Sequence, residues 1–310
     1  MKEELKIQIV DALEYWMVQH PGVSQNDIAA SADINAGYLM NMRKKDFNIR
    51  SGARIVQISD KYFLRVARFV GFEIALKHWE TRTTIQLKDV LTSLSIAKAN
   101  SETTVLIGET GCGKTYSLDT FKSKFPTEVF TVKVGASDNL RDLIAKVLTA
   151  LKITCPKYTS SARLGQVALR LKILKEQGLM PVLVFDEAEY MKYAALCAFK
   201  ELYDVLHKDC ALVLIGTNEL LTNIEKLLKT KKPGIAQLFR RIKFRIHELP
   251  AIDKRFEQFL NGTEPSLKKW LQQHCDNYGE LHDVMVPAFA EAERSNLPVT
   301  LDLVKTVLGI

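Results

Sequence analysis

Thr104-Val105-Leu106-Ile107-Gly108-Glu109-Thr110-Gly111-Cys112-Gly113-Lys114-Thr115 is the stretch on which the reading of this chain turns. From Gly108 to Thr115 it fits G-x-x-x-x-G-K-[ST]; an apolar run precedes it and a helical pattern begins near Thr115. Strand, glycine-rich loop and helix in that order are what a P-loop needs. The glycines let backbone N–H groups point at phosphate oxygens, so Gly108, Glu109, Thr110, Gly111, Cys112 and Gly113 form the expected cradle. Lys114 is placed to reach the β- and γ-phosphates and the Thr115 hydroxyl to ligate Mg²⁺, with the positive end of the next helix adding to the anion site. The plain alternative is a glycine-rich turn with a stray lysine.

Downstream, short apolar runs alternate with helical patterns. Strands are expected at Thr104–Ile107, Val129–Val134, Val182–Phe185, Leu212–Ile215 and Ile242–Ile246, with helices between them. That alternation argues for an α/β fold: a parallel sheet sandwiched by helices. The run Val182-Leu183-Val184-Phe185-Asp186-Glu187 is a buried strand ending in two carboxylates. After a P-loop, Asp186 is the expected Mg²⁺ residue and Glu187 the base that polarises the attacking water. The next strand ends in Gly216-Thr217-Asn218. Asn218 can hydrogen-bond both the attacking water and the γ-phosphate, or cap the following helix.

Leu238-Phe239-Arg240-Arg241-Ile242 then sets two arginines just before the last expected strand. In an assembly, Arg240 or Arg241 would stabilise transition-state charge at a neighbour's γ-phosphate; the alternative is contact with DNA or water. Between Glu225 and Glu248 every charged residue is basic, a run that in isolation reads as a solvated face. After Pro250 no strand is expected, and 251–310 reads as a small helical lid.

The first 65 residues read as a helical domain. Leu5, Ile9, Ala12, Leu13 and Trp16 form one stripe, Pro21-Gly22 breaks it, and Ser24 caps a helix from Gln25 to Ala32. Asp33-Ile34-Asn35 turns the chain into a second helix from Ala36 to about Lys45, with Leu39 and Met42 inward. This is a helix-turn-helix pattern whose second helix would enter the major groove, offering Asn41, Arg43 and Lys44 to DNA. A small three-helix bundle would share the pattern. Residues 66–80 are read as a linker and 81–250 as the nucleotide-binding domain.

At 310 residues the chain exceeds one small core, and roughly 150 residues per domain suggests two or three. The formal charge of +7 is compatible with nucleic acid without establishing it. The cysteines, Cys112, Cys155, Cys197, Cys210 and Cys275, are odd in number and lack a C-x-x-C, which argues against a disulfide framework or zinc site. No run of about 18 uncharged apolar residues suggests a membrane span, and the N-terminus lacks a signal-peptide core. A reducing cytoplasm is the expected setting, and the resemblance given below would make it that of a bacterial host of a phage or mobile element.

P-loop, Asp-Glu pair, polar strand tip, paired arginines and helical lid together resemble the AAA+ superfamily. More narrowly the chain resembles transposition ATPases of the phage Mu B type, with TnsC and IstB more distant. That closer resemblance rests on the helix-turn-helix, on Glu80-Thr81 with Ile85 ahead of the core, on Val184-Phe185-Asp186-Glu187-Ala188-Glu189, on Leu212–Asn218 and on Leu238–Ile242. It implies an ATP-dependent ATPase that forms helical filaments on duplex DNA without marked sequence preference, delivers target DNA to a transposase and disassembles on hydrolysis. Lys157, Arg163 and Lys192, on loops following the sheet, are candidate DNA contacts by placement. An origin-binding initiator or helicase loader, and an ATP-responsive helix-turn-helix transcriptional regulator, are the alternatives. One departure stands out: where many such lids carry G-x-x-R, this chain has Gly279-Glu280-Leu281-His282, leaving His282, or Arg294 in its stead, to sense the nucleotide.

Overall fold

A computed structural model describes residues 3–51, 54–70, 72, 79–154 and 159–310. The chain divides into two compact units, Met1–Lys77 and His78–Ile310. In the smaller unit, α1 (Glu3–Gln19), α2 (Gln25–Ser31) and α3 (Ala36–Arg43) precede β1 (Asn48–Ser51), β2 (Arg54–Gln57) and α4 (Asp60–Phe69). Ser24 closes a capping box with Asp27, and Asn35 caps α3 through the Gly37 amide at 2.8 Å. Ile9, Leu13, Ile28, Leu39, Met42 and Phe63 are completely buried, so Ile9 and Leu13 of the α1 stripe pack with α2, α3 and α4 in one core.

Two features differ from expectation. Residues 54–57, expected to be helical, form an antiparallel hairpin with 48–51, in register from Asn48–Gln57 to Ser51–Arg54. Four-residue strands are too short for periodicity to identify them. In addition, α4 runs straight through residue 65, where the helical domain was expected to end. Val66 and Ala67 are buried in the same core as Ile9 and Phe63, with Phe69 and Phe72 packed against it.

The larger unit begins with α5 (Ile85–Asn100), capped by the Thr84 hydroxyl on the Leu87 amide. It continues through β3 (Thr104–Ile107), α6 (Lys114–Lys124), β4 (Val129–Lys133), α7 (Leu140–Ala150), α8 (Ser160–Glu176), β5 (Val182–Asp186), α9 (Tyr193–Leu206) and β6 (Ala211–Gly216). Then come α10 (Asn218–Lys229), α11 (Ile235–Ile242) and β7 (Ile246–Glu248). The strands form one parallel sheet in the order β4-β5-β6-β3-β7. Alternate side chains serve opposite faces: Val105, Ile107, Leu183 and Phe185 meet the α7–α9 and α11 layer, whereas Leu106, Val182 and Val184 meet α5 and α6. Burial on both faces is why these strands read as unbroken apolar runs.

The strand expected at Ile242–Ile246 is displaced. Ile235, Leu238, Phe239 and Ile242 follow helical i, i+3, i+4, i+7 spacing, so the chain stays in α11 to Ile242 and pairs with β3 only from Ile246. After Pro250, α12 (Glu257–Leu260), α13 (Pro265–His274), α14 (Tyr278–Ser295) and α15 (Leu301–Leu308) make the helical lid around Leu267, Leu271, Leu281 and Val304. Among the described residues, no helix is long and apolar enough to cross a membrane.

Candidate nucleotide site

The P-loop joins β3 to α6. Gly111 (φ 74°) and Gly113 (φ 90°) occupy left-handed backbone, which an L side chain adopts only under strain. Lys114 Nζ donates to the carbonyls of Gly108 (2.8 Å) and Glu109 (2.7 Å), along the inner wall of the loop. The Cys112 thiol lies beneath it, and burial raises its pKa despite the nearby ammonium. A thiol so held is a packing group rather than a nucleophile.

At the tip of β5, Asp186 is only 5% exposed. Its Oδ2 accepts from Thr115 Oγ1 at 2.8 Å and its Oδ1 from the Glu187 amide at 3.0 Å. A hydroxyl and a buried carboxylate meeting beside a phosphate-type loop are hard oxygen donors, and they fit Mg²⁺ with phosphate and water oxygens completing its shell. The chain breaks direction at Glu187 (φ 55°, ψ 41°), whose Oε1 pairs with Lys133 Nζ at 3.0 Å. Lys133 ends β4 in register with Asp186, and the hydrogen bond to Glu187 holds its ammonium above the ordinary lysine range.

Beside it, β6 delivers Gly216, Thr217 and Asn218. Thr217, not Asn218, is the N-cap residue of α10; Asn218 is the first helical residue and is exposed. Glu189, which the sequence reading did not single out as a site residue, fastens the two strand tips together. Its Oε2 accepts from the Thr217 amide at 3.3 Å, and its carbonyl accepts from Asn223 Nδ2 at 3.1 Å. A Cβ on Gly216 would come within 2.6 Å of that carboxylate, so a side chain there would push Glu189 off the Thr217 amide.

The lid reaches the P-loop through the start of α14. Asn277 caps that helix on the Glu280 amide at 2.9 Å and donates to Glu280 Oε1 at 2.8 Å. Its side chain lies against Gly111, where an added Cβ would overlap the carboxamide and sit 2.8 Å from the Asn277 Cβ. Gln86, 3% exposed, pins the hinge: its Nε2 donates to the carbonyls of Pro250 (3.0 Å) and Ala251 (2.9 Å), and its Oε1 accepts from Tyr278 Oη at 3.1 Å. His282 stands edge-on to Trp79 and pairs with Asp283. Arg294 is no substitute for it. It lies 16 residues along α14 from the P-loop end, about 24 Å at 1.5 Å per residue, and is bound to Glu291.

The two arginines also separate. Both lie in the last turn of α11 rather than in a strand approach. Arg241 is half-buried, bonded to Asp204 at 2.5 Å and stacked on Tyr203, whereas Arg240 is exposed. Among the candidate DNA contacts, Arg43 is tied to Glu14 (2.5 Å) and to Gln25 (2.8 Å), an internal clamp rather than a free cation. Lys44 is exposed and Asn41 half-buried. Arg163 lies in the first turn of α8, not on a loop, because Thr159 caps the helix ahead of it. Lys192 is exposed, 3.5 Å from the Ser137 carbonyl, and Lys157 lies outside the described residues.

Residues 98–224 match the family described as AAA domain. That segment has the P-loop of an AAA domain. The match runs from the end of α5 to α10 and so contains the P-loop, Asp186 and the β6 tip. No curated protein matches the chain. Among solved structures, the Aeropyrum pernix Orc1 protein in complex with DNA is similar at a TM-score of 0.53 and 14% identity, over 76% of this chain and 67% of that one. A Thermogota maritima RuvB mutant overlaps at 0.44 and 14%, over 74% and 70%. A replication initiator DnaA bound to AMPPCP and single-stranded DNA overlaps at 0.41 and 15%, over 68% and 62%. At 14% identity the likeness to the Orc1 protein is one of fold alone.

Proposed function

We propose that the chain is an ATP-dependent DNA-binding ATPase that assembles into helical filaments on duplex DNA and presents that DNA to a transposase as target. The observation that carries the ATPase reading is the Thr115–Asp186 contact beside Lys114, with Glu187 next along the chain. Thr115 and Asp186 are the residues that would hold Mg²⁺, which when bound would supply positive charge against the phosphates. Lys114 binds the β- and γ-phosphates, Glu187 takes a proton from the attacking water once it leaves Lys133, and Asn218 orients that water. Because Arg241 is committed to Asp204, Arg240 is the arginine that reaches a neighbouring γ-phosphate, and Arg241 fixes the end of α11 that carries it.

The helix-turn-helix unit and the net charge of +7 support the DNA part of the reading. Sequence-tolerant phosphate contacts suit a filament, with affinity falling steeply as salt rises. The alternatives, an origin-binding initiator or helicase loader and a transcriptional regulator, would both select particular sites. Electron microscopy of the protein with ATP and random-sequence duplex decides between them. Continuous filaments that vanish in Lys114→Ala are expected; discrete oligomers on one sequence would refute the proposal.

A further inference from the structure

The least covered large apolar side chain among the described residues is Phe244, 84% exposed in the turn between α11 and β7. Its neighbours are basic. Lys243 Nζ lies 4.5 Å from its ring centroid, and Arg240 is exposed one helical turn earlier. Farther back along the same segment, Lys226 and Lys229 are exposed in the last turn of α10 and Lys231 and Lys232 on the connection to α11. Among the described residues, Arg241 and Arg245 are the members of this basic run that pair with carboxylates, those of Asp204 and Glu102. A phenyl ring framed by cations offers an apolar contact inside a positive surface, complementary to a partner that is acidic.

The same chain offers a surface of that kind. Around the P-loop and the start of the lid, Glu109, Asp253, Asp276 and Glu280 are exposed, with Glu257 and Asp283 beyond them. The cations among them, Lys254 and Arg255, are bound to Asp276 (2.6 Å) and Asp253 (2.9 Å) and leave the rim net acidic. The basic turn and the acidic rim are different surfaces of one chain. Their pairing between copies is head-to-tail, a geometry that propagates instead of closing after two.

We infer that Phe244 and Lys243 anchor a head-to-tail interface between copies of this chain, docking against the acidic P-loop and lid rim of the next copy. The inference rests on the reading of the protein as an ATP-clasped assembly and gives that assembly its contact residues. It also explains how Arg240 is delivered. Held one helical turn from the anchor, Arg240 reaches the neighbour's nucleotide only when Phe244 is seated. Electrostatic steering of the basic turn to the rim makes the association salt-sensitive, and burial of the phenyl ring sets its lifetime.

The test is sedimentation velocity of the full chain with ATP and no DNA, across protein concentration, at low and at high salt. Phe244→Ala and Lys243→Glu are each expected to raise the concentration needed for assembly at least tenfold while leaving fluorescent ATP binding within twofold of the parent. Asp276→Lys should do the same from the other side. An equimolar mixture of Lys243→Glu and Asp276→Lys chains should assemble better than either alone, because the reversed charges meet at every second interface. Parent-like assembly by Phe244→Ala, or no gain in the mixture, overturns the inference while leaving the assembly reading standing. A parent chain that stays monomeric with ATP overturns both. If Phe244→Ala lost duplex affinity yet assembled normally, this face binds nucleic acid and the inference is wrong.

Discussion

Gly111→Ala isolates the contact between P-loop and lid. Alanine at φ 74° costs about 1–2 kcal/mol in backbone strain. The added Cβ also overlaps the Asn277 carboxamide, so the start of α14 must withdraw. Withdrawal sacrifices the cap on the Glu280 amide, about 1 kcal/mol more. The sum, about 2–3 kcal/mol, lowers the melting temperature of a unit this size by roughly 5–10 °C. In an Asn277→Gly background the overlap disappears, and glycine remains a serviceable N-cap at a cost of a few tenths of a kcal/mol. There the same substitution should cost only the strain. Calorimetry of the parent, both single variants and the double variant gives the coupling directly, with about 1 kcal/mol expected from the lost cap. Equal costs in both backgrounds would refute the contact, and with it the idea that the lid registers the P-loop through Asn277.

Gln86→Leu should destabilise the protein by about 2–3 kcal/mol, since the Tyr278 hydroxyl and two hinge carbonyls lose their partner; thermal unfolding measures the loss, and lid-cleaving proteolysis should accelerate with it. Lys133→Met frees Glu187 from its ion pair, so steady-state phosphate release without DNA is expected to rise several-fold; an unchanged rate would mean the pair exerts no restraint. Arg43→Ala should lower the melting temperature of the smaller unit, because Glu14 and Gln25 lose their shared donor. Lys44→Ala should leave that temperature unaltered and reduce the slope of log affinity against log salt by about one, the signature of a single lost phosphate contact.

The sheet was legible because its strands are buried on both faces and run as contiguous apolar segments with a loop motif attached. The place of Asp186 and Glu187 at a strand tip could be read for the same reason: they end such a segment. The last strand was misplaced because Ile242-Lys243-Phe244-Arg245-Ile246 alternates apolar and charged residues as a half-buried strand does. The alternation is real in sequence, but Ile242 belongs to the helical stripe and Phe244 to solvent. Arg43 looked like a free cation because its partners lie 29 and 18 residues away. Nothing local announces Glu14 as a counter-ion. The hold of Asn277 on Gly111 spans the whole nucleotide domain, and one sequence does not disclose that the two meet.

Glu187 stands in left-handed backbone, where glycine rests without strain and most other residues do not. Its carboxylate makes only a half-exposed ion pair with Lys133, a contact of little worth to the fold. Glycine at that position would relax the kink, so Glu187→Gly is expected to melt higher than the parent while hydrolysing nothing. With Glu187 as the proposed base, stability and turnover pull against each other at this one residue. A library screened for heat resistance alone would discard the carboxylate first, and its survivors would be expected to bind nucleotide without hydrolysing it.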